Sequence, residues 1–210
     1  MYHIPYFKAA QNQEVIDFMH QHPFIVLCGI DKNNFPVATH IPVLLQQRND
    51  QLFLTGHVMR KQQHTVAFDT NSNVLAIFQS AHSYISASWY ETKNIASTWN
   101  YMAVHAKGIL RWISEEALYE QLVQLTNHFE KNENSSALVK NMHSDYVANS
   151  LKAIKGFEIE VTEVEHVFKL SQNRDEKSFD NIINSLQKGN SNEQLIAEEM
   201  QKRKDQIFNK

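Results

Sequence analysis

Residues 24–58 read FIVLCGIDKNNFPVATHIPVLLQQRNDQLFLTGHV, and the punctuation of this stretch decides the fold class. The apolar run 24–28 has the length of a strand buried on both faces, and Pro23 bars a helix from entering it. Asp31-Lys32-Asn33-Asn34 is turn chemistry that leads into a second extended segment, 35–46. Arg48-Asn49-Asp50 is a second turn, and 51–58 a third strand. Parallel strands need a crossover of a dozen or more residues between them. These connections are too short for that, so the stretch predicts an antiparallel meander rather than βαβ units.

Outward from this stretch, residues 8–20 place Val15, Phe18 and Met19 at helical spacing, with Pro23 as the stop. On the other side, 61–68 suits two helical turns, 73–78 returns to strand character, and 83–88 and 99–113 supply two more strands. About six antiparallel strands around one core predict a small barrel, which removes exposed sheet edges by closing. Ser114 is a candidate N-cap with Glu115 and Glu116 behind it, and Leu118, Leu122, Leu125 and Phe129 mark the apolar face of its helix. Asp145 opens another helix, carrying Val147, Leu151 and Ile154 inward and ending at Gly156. Phe157, Ile159 and Val161 alternate with Glu158, Glu160 and Thr162 as in a half-exposed strand. A helix with Phe179, Ile182, Ile183 and Leu186 follows. A capping box at Ser191 and Gln194 then opens a last helix, whose closing QKRKDQIFNK reads as a solvated end.

Composition narrows the function classes. Hydrophobic residues at 42%, charged residues at 20% and a net charge of −3 describe an ordinary globular chain with no global basic field, so nucleic acid is not an expected partner. The run 24–28 is far short of a membrane span, and MYHIPYFKAA lacks the pattern of a secretory leader, which predicts a cytoplasmic protein. The single cysteine, Cys28, sits inside the apolar run and reads as a small hydrophobe rather than a nucleophile.

Residues 79–108, QSAHSYISASWYETKNIASTWNYMAVHAKG, hold two of the three tryptophans, two histidines and a dense set of hydroxyls and amides. A flat, polar-edged ligand needs such a wall and rim; an exposed hairpin with cross-strand aromatic pairs is the other reading. At 56–61, Gly-His-Val-Met-Arg-Lys puts Arg60 and Lys61 where a strand passes into a short helix. Helix N–H groups and two cations outline an anion site there, and a solvated surface pair is the alternative. The histidines, His40, His57, His82 and His105 among them, have no zinc-like spacing. Ser86 and Ser88 sit in no nucleophile elbow, and Glu91 stands alone. No metal ligand or catalytic residue is assigned.

The residues also carry a family resemblance. MYHIPYF at the start, His22-Pro23-Phe24, His40-Ile41-Pro42, Gly56-His57-Val58 with Arg60, FQSAHSYISASWY at 78–90, Thr98-Trp99-Asn100-Tyr101, His105-Ala106 with Gly108, and KLSQNR at 169–174 resemble the PaiB family. That family is described as FMN-binding negative transcriptional regulators with the split-barrel fold of pyridoxamine phosphate oxidase-like proteins. The resemblance implies a mainly antiparallel β split barrel with surrounding α-helices, over 1–174, and a helical C-terminal extension, 175–210. It implies FMN as cofactor, with the phosphate on Arg60 and Lys61, the isoalloxazine along barrel strands at a homodimer interface, and 79–108 as the flavin wall. By the same analogy Thr55 and His57 line the cofactor, Gln79 and Ser80 face its phosphate or ribityl chain, and Trp99, Asn100 and Lys169 belong to the neighbouring part of the site. One departure is local: family members carry a small or polar residue and then Asn-Pro after the arginine, where this chain has Lys61-Gln62-Gln63.

Three function classes follow: a flavin- or metabolite-reading negative regulator, a flavin-dependent oxidoreductase or flavin reductase in which the cofactor supplies the chemistry, and a direct DNA-binding repressor. For the last, the sequence shows neither a helix-turn-helix nor a basic face. The aromatic surface of Trp89, Tyr90, Trp99 and Tyr101 adds to the expectation of a homodimer.

Overall fold

A computed structural model describes residues 1–2 and 4–209; His3, within the MYHIPYF motif, and Lys210 lie outside the described residues. The elements, in chain order, are α1 (Asn12–Gln21), β1 (Phe24–Ile30), β2 (Pro36–Pro42), β3 (Leu44–Arg48), β4 (Gln51–Met59), α2 (Gln63–Thr70), β5 (Asn73–Ile85), β6 (Thr98–Trp112), α3 (Glu115–Phe129), α4 (Ser144–Ala153), β7 (Ile154–Lys169), α5 (Glu176–Leu186) and α6 (Ser191–Phe208). The strands form one sheet in the order β2-β1-β5-β6-β7-β4-β3. This is the expected mainly antiparallel β split barrel with surrounding helices.

The meander reading needs correction. Segment 35–46 is two strands, interrupted at Val43, whose N–H donates to the Pro23 carbonyl at 2.9 Å instead of continuing a ladder. Pro42 cannot donate either, so the chain leaves the β1–β2 hairpin here and begins β3 on the opposite edge of the sheet. Two hairpins, β1–β2 and β3–β4, thus replace a three-strand meander. In the other direction, the separate strands expected at 73–78 and 83–88 are the single strand β5. Gly156 ends no helix: it lies inside β7, where an added Cβ would meet Ile113 and Leu118 at 2.8–2.9 Å.

The chain divides into two units. One comprises Met19–Phe78 and His105–Val164, the other Met1–Phe18, Gln79–Val104 and Glu165–Lys210, and β5, β6 and β7 each contribute residues to both.

In the unit built on 19–78 and 105–164, Ile25 and Leu27 of β1 are buried, whereas Phe24 is 65% exposed and Val26 and Cys28 are half-buried. β1 is therefore buried on one face, not two. Asp31 Oδ1 accepts from the N–H groups of Asn33 and Phe35 at 2.8 and 2.9 Å, closing the first hairpin, and Asn49 and Asp50 take φ of 48° and 63° in the second. Both residue types tolerate that left-handed backbone, which suits the twist of a two-residue hairpin. Ser114 caps α3 by accepting from Ala117 N. Gly108 is held to glycine by space, since a Cβ there would lie 2.5 Å from the Glu160 carbonyl oxygen.

In the other unit, Phe179, Ile182, Ile183 and Leu186 of α5 and Ile196, Ala197 and Met200 of α6 are buried, as the helical spacing of the α5 set requires. Asp175 caps α5 by accepting from Ser178 N at 2.8 Å. The capping box of α6 uses Asn190 and Glu193, one residue before the expected pair. Nor is the end of α6 a free solvated tail. Arg203 pairs with Glu14 at 2.7 Å, and the Phe208 ring packs edge-on against Phe179. Among the described residues, no helix is long and apolar enough to cross a membrane.

Candidate functional site

The unit of 19–78 and 105–164 carries Thr55, His57, Arg60 and Lys61 on β4 and the step that follows it. Strand alternation puts Thr55, His57 and Met59 on one face. Thr55 is buried, with its hydroxyl 3.5 Å from the Leu44 carbonyl. His57 is half-buried opposite Gly156, and burial holds its pKa below the ordinary 6.5, so it is neutral near pH 7. Arg60 is fastened to the end of α4: its N–H donates to Ala153 O at 2.9 Å, Nε to Lys152 O at 3.2 Å and Nη2 to Ile154 O at 2.8 Å. Carbonyls at a helix C-terminus lack intrahelical donors, and a guanidinium is well suited to satisfy several together. Lys61 is exposed and has no hydrogen bond or ion pair among the described residues.

Directly after Lys61, α2 begins without a side-chain cap. Gln62 makes no capping bond, and the first turn holds no acidic residue. The leading N–H groups of α2 are therefore open donors beside an unpaired cation, and the helix dipole has the same sign. Thr65 Oγ1 donates to Met59 O at 2.7 Å and ties the helix start back to β4. His64, in the same first turn, is held below its ordinary pKa by burial.

The unit of 1–18, 79–104 and 165–210 carries the other five expected residues. Trp99 is 51% exposed, and its ring meets His82 and Tyr84 at centroid distances of 5.6 and 6.0 Å. Ser80, His82 and Tyr84 share one side of β5, so an exposed aromatic face forms around Trp99. Ser80 Oγ donates to Ala81 O at 3.0 Å. Gln79 is exposed and, by strand alternation, turned to the side opposite Ser80. Asn100 is fully buried; its Oδ1 accepts from Ser171 Oγ at 3.0 Å and its Nδ2 donates to Met200 Sδ at 3.4 Å. It thus lies on the opposite side of β6 from Trp99 and ties that strand to α6. Lys169 donates to Thr98 Oγ1 and, at 2.6 Å, to Trp99 O. Burial, with the charge of Arg174 second, lowers its pKa.

The structure thus gathers Trp99, Ser80 and Lys169 near one aromatic patch, and turns Gln79 and Asn100 away from it. His82 and Tyr84 are the partners of Trp99 that sequence reasoning did not assign to the site. The alternation His82-Ser83-Tyr84, with Ser83 inward and its neighbours outward, is the signal that identifies them. Tyr90, counted toward an exposed aromatic surface, is instead 1% exposed.

Taken one by one, the unit of 19–78 and 105–164 offers an uncapped helix start beside the free Lys61 ammonium, which suits a phosphate, and the other unit offers an exposed aromatic face, which suits a planar ring. Comparison with known proteins points the same way. The family model described as "Putative FMN-binding domain" matches residues 1–163. The protease synthase and sporulation protein PAI 2 of Bacillus subtilis is 34% identical over 209 residues, covering 99% of this chain and 100% of that protein. Among solved structures, the FAD and heme binding protein of Mycobacterium smegmatis superposes with a TM-score of 0.55 at 14% identity, over 77% of this chain and 72% of its own. The flavocytochrome Anf3 of Azotobacter vinelandii gives 0.54 at 12% identity, over 80% and 72%. At those identities the likeness is one of fold.

Proposed function

Because the chain belongs to the PaiB family, whose FMN-binding domain model spans residues 1–163, we propose that it binds FMN and acts in the cytoplasm as a negative regulator of transcription, through flavin or metabolite binding rather than by gripping DNA itself. The observation that carries the flavin reading is the step from β4 into α2. Arg60 and Lys61 stand there beside a helix start with no capping side chain and no acidic residue. Arg60 supplies a fixed guanidinium, its Nε and Nη2 already oriented by α4, and Lys61 supplies a point charge. Thr55 and His57 line the same strand, and neutral His57 keeps a lone pair and an N–H for a polar ligand edge. Taken by itself, the other unit presents Trp99 with His82 and Tyr84 as an exposed aromatic surface of the kind on which planar rings stack. Ser80 and Lys169 are the polar groups beside it, and Gln79 and Asn100 stay in the proposed set with indirect roles.

When bound, FMN would supply a redox centre and a yellow chromophore. This chain's own residues would bind and orient it. The net charge of −3 supports regulation without direct DNA contact, since a phosphate-tracking surface is normally basic. The test is the visible spectrum of the purified protein with and without added FMN, followed by retention of promoter DNA at physiological salt. A flavin spectrum without sequence-selective retention is the expected result. A colourless protein that shifts no flavin spectrum refutes the cofactor, and submicromolar selective retention refutes the indirect mode of regulation.

A further inference from the structure

The loop at 169–175, which joins β7 to α5, is held from several sides. Ser171 is buried and takes φ 64°, a left-handed backbone that is strained for a non-glycine residue and persists only when its surroundings impose it. Here they do. Ser171 Oγ donates to Asn100 Oδ1, Gln172 Oε1 accepts from Leu170 N at 2.7 Å while its Nε2 donates to Phe168 O, and Arg174 N donates to Ser171 O at 3.0 Å. The two ends of this rigid loop present the cations Lys169 and Arg174.

Arg174 lies over the ring of Tyr90, its guanidinium carbon 4.3 Å from the centroid. Tyr90 is 1% exposed; the Arg174 guanidinium lies close enough to act on its phenol by charge and a side-chain contact, but the hydroxyl makes no well-formed hydrogen bond, and the buried Nε of Arg174 makes none either. Buried polar groups are nearly always satisfied, so two orphans in one place mark a missing partner. That partner has to accept hydrogen bonds from a guanidinium and a phenol and lie near the Lys169 ammonium, whose pKa is lowered by burial first and by the charge of Arg174 second. The acidic side chains of this neighbourhood are engaged elsewhere. Asp175 accepts from Ser178 N and Oγ, and Glu91 pairs with Lys177 at 2.8 Å and accepts from Asn181. Neither Lys169 nor Arg174 forms an ion pair among the described residues. Lys169 is also tied to the carbonyl of Trp99, so the site borders the exposed aromatic face.

We infer that Arg174, Tyr90 and Lys169 form an oxyanion-binding site for the carboxylate or phosphate group of a small organic ligand. The inference stands on these orphaned donors and not on the flavin reading. The oxyanion has two sources that the titration separates, a separate small acid or the flavin's own phosphate; the chemistry of recognition is the same for both, and the second would move that phosphate away from Arg60 and Lys61.

The test is calorimetric titration of the full chain, flavin-free and FMN-saturated, with inorganic phosphate and with benzoate at constant ionic strength. FMN and riboflavin titrations run beside it, on wild type, Tyr90→Phe and Arg174→Gln. Tyr90→Phe deletes a single oxygen and Arg174→Gln changes a loop residue; circular dichroism checks both folds. Expected is anion binding to wild type that falls about tenfold or more in Arg174→Gln and by a smaller factor in Tyr90→Phe. Binding that survives FMN saturation identifies a separate acid. Competition by FMN, with Arg174→Gln losing FMN affinity and keeping that for riboflavin, identifies the flavin phosphate; either pattern supports the site. Wild-type protein that binds neither probe and whose FMN affinity is unchanged by Arg174→Gln overturns it. So does a Tyr90→Phe variant that melts higher with anion affinity intact, the behaviour of a merely orphaned hydroxyl.

Discussion

Arg60→Ala should separate two roles that the structure superimposes on one side chain. The substitution removes the Nε and Nη2 bonds to Lys152 O and Ile154 O, both at an exposed position, and keeps the main-chain bond to Ala153 O. Two solvent-exposed hydrogen bonds of this kind contribute about 1–2 kcal/mol together. For a chain of this size that lowers the melting temperature by roughly 2–8 °C without unfolding the protein at 25 °C. As a phosphate anchor the same guanidinium contributes a charge-assisted bond, so FMN affinity should fall roughly ten- to a hundredfold. Riboflavin has no phosphate and should bind as it does to wild type. Fluorescence titration with both ligands, beside a thermal melt, gives the three quantities. Equal losses for FMN and riboflavin would mean that the lost α4 contact deforms the site. Unchanged FMN affinity with the expected drop in melting temperature would mean that Arg60 only closes α4 and that the phosphate is held by Lys61 and the α2 N–H groups, or elsewhere.

Asn100→Leu should destabilise the fold by about 1–3 kcal/mol in denaturant titration, because it strands the Ser171 hydroxyl in the interior, and should leave the ratio of FMN to riboflavin affinity unchanged. A lost preference for FMN at wild-type stability would instead make Asn100 a direct cofactor contact. His166 Nε2 accepts the Ala9 N–H at 2.8 Å, which requires the neutral imidazole, and burial first, then the charge of Lys8, hold its pKa below 6.5. A depressed histidine contributes stability that is complete above its unfolded value of about 6.5 and is lost as pH falls through the folded one. The melting temperature should therefore drop on acidification below pH 6.5, and drop less in His166→Gln; identical pH profiles would remove His166 from the account. Light scattering at micromolar concentration with FMN present should return a homodimer, in keeping with apolar Phe24 and Ile30 exposed on one side of β1. A monomer mass would refute it.

The sequence alone determined what depends on neighbours along the chain. Antiparallel strands followed from turns too short for crossovers. The Ser114 cap and the buried face of α5 followed from residue type and from 3.6-residue spacing. ASWY, TWNY and KLSQNR in combination were enough to indicate the family. Tertiary structure decided whatever depended on distant partners. No local signal told that Val43 would bond to Pro23 and send β3 to the far edge of the sheet, or that Gly156 would be a strand residue pressed against Ile113. Asn100 and Trp99 are adjacent in sequence and equally plausible as ligand contacts, yet the pleat of β6 sends one into the interior toward Met200 and the other out to His82 and Tyr84. Arg60 reads as a free cation in the sequence because the carbonyls it satisfies lie more than ninety residues away. Hydrogen bonds and burial are set by what folding brings together in space, and a pattern of spacing carries only the part of that information that is local.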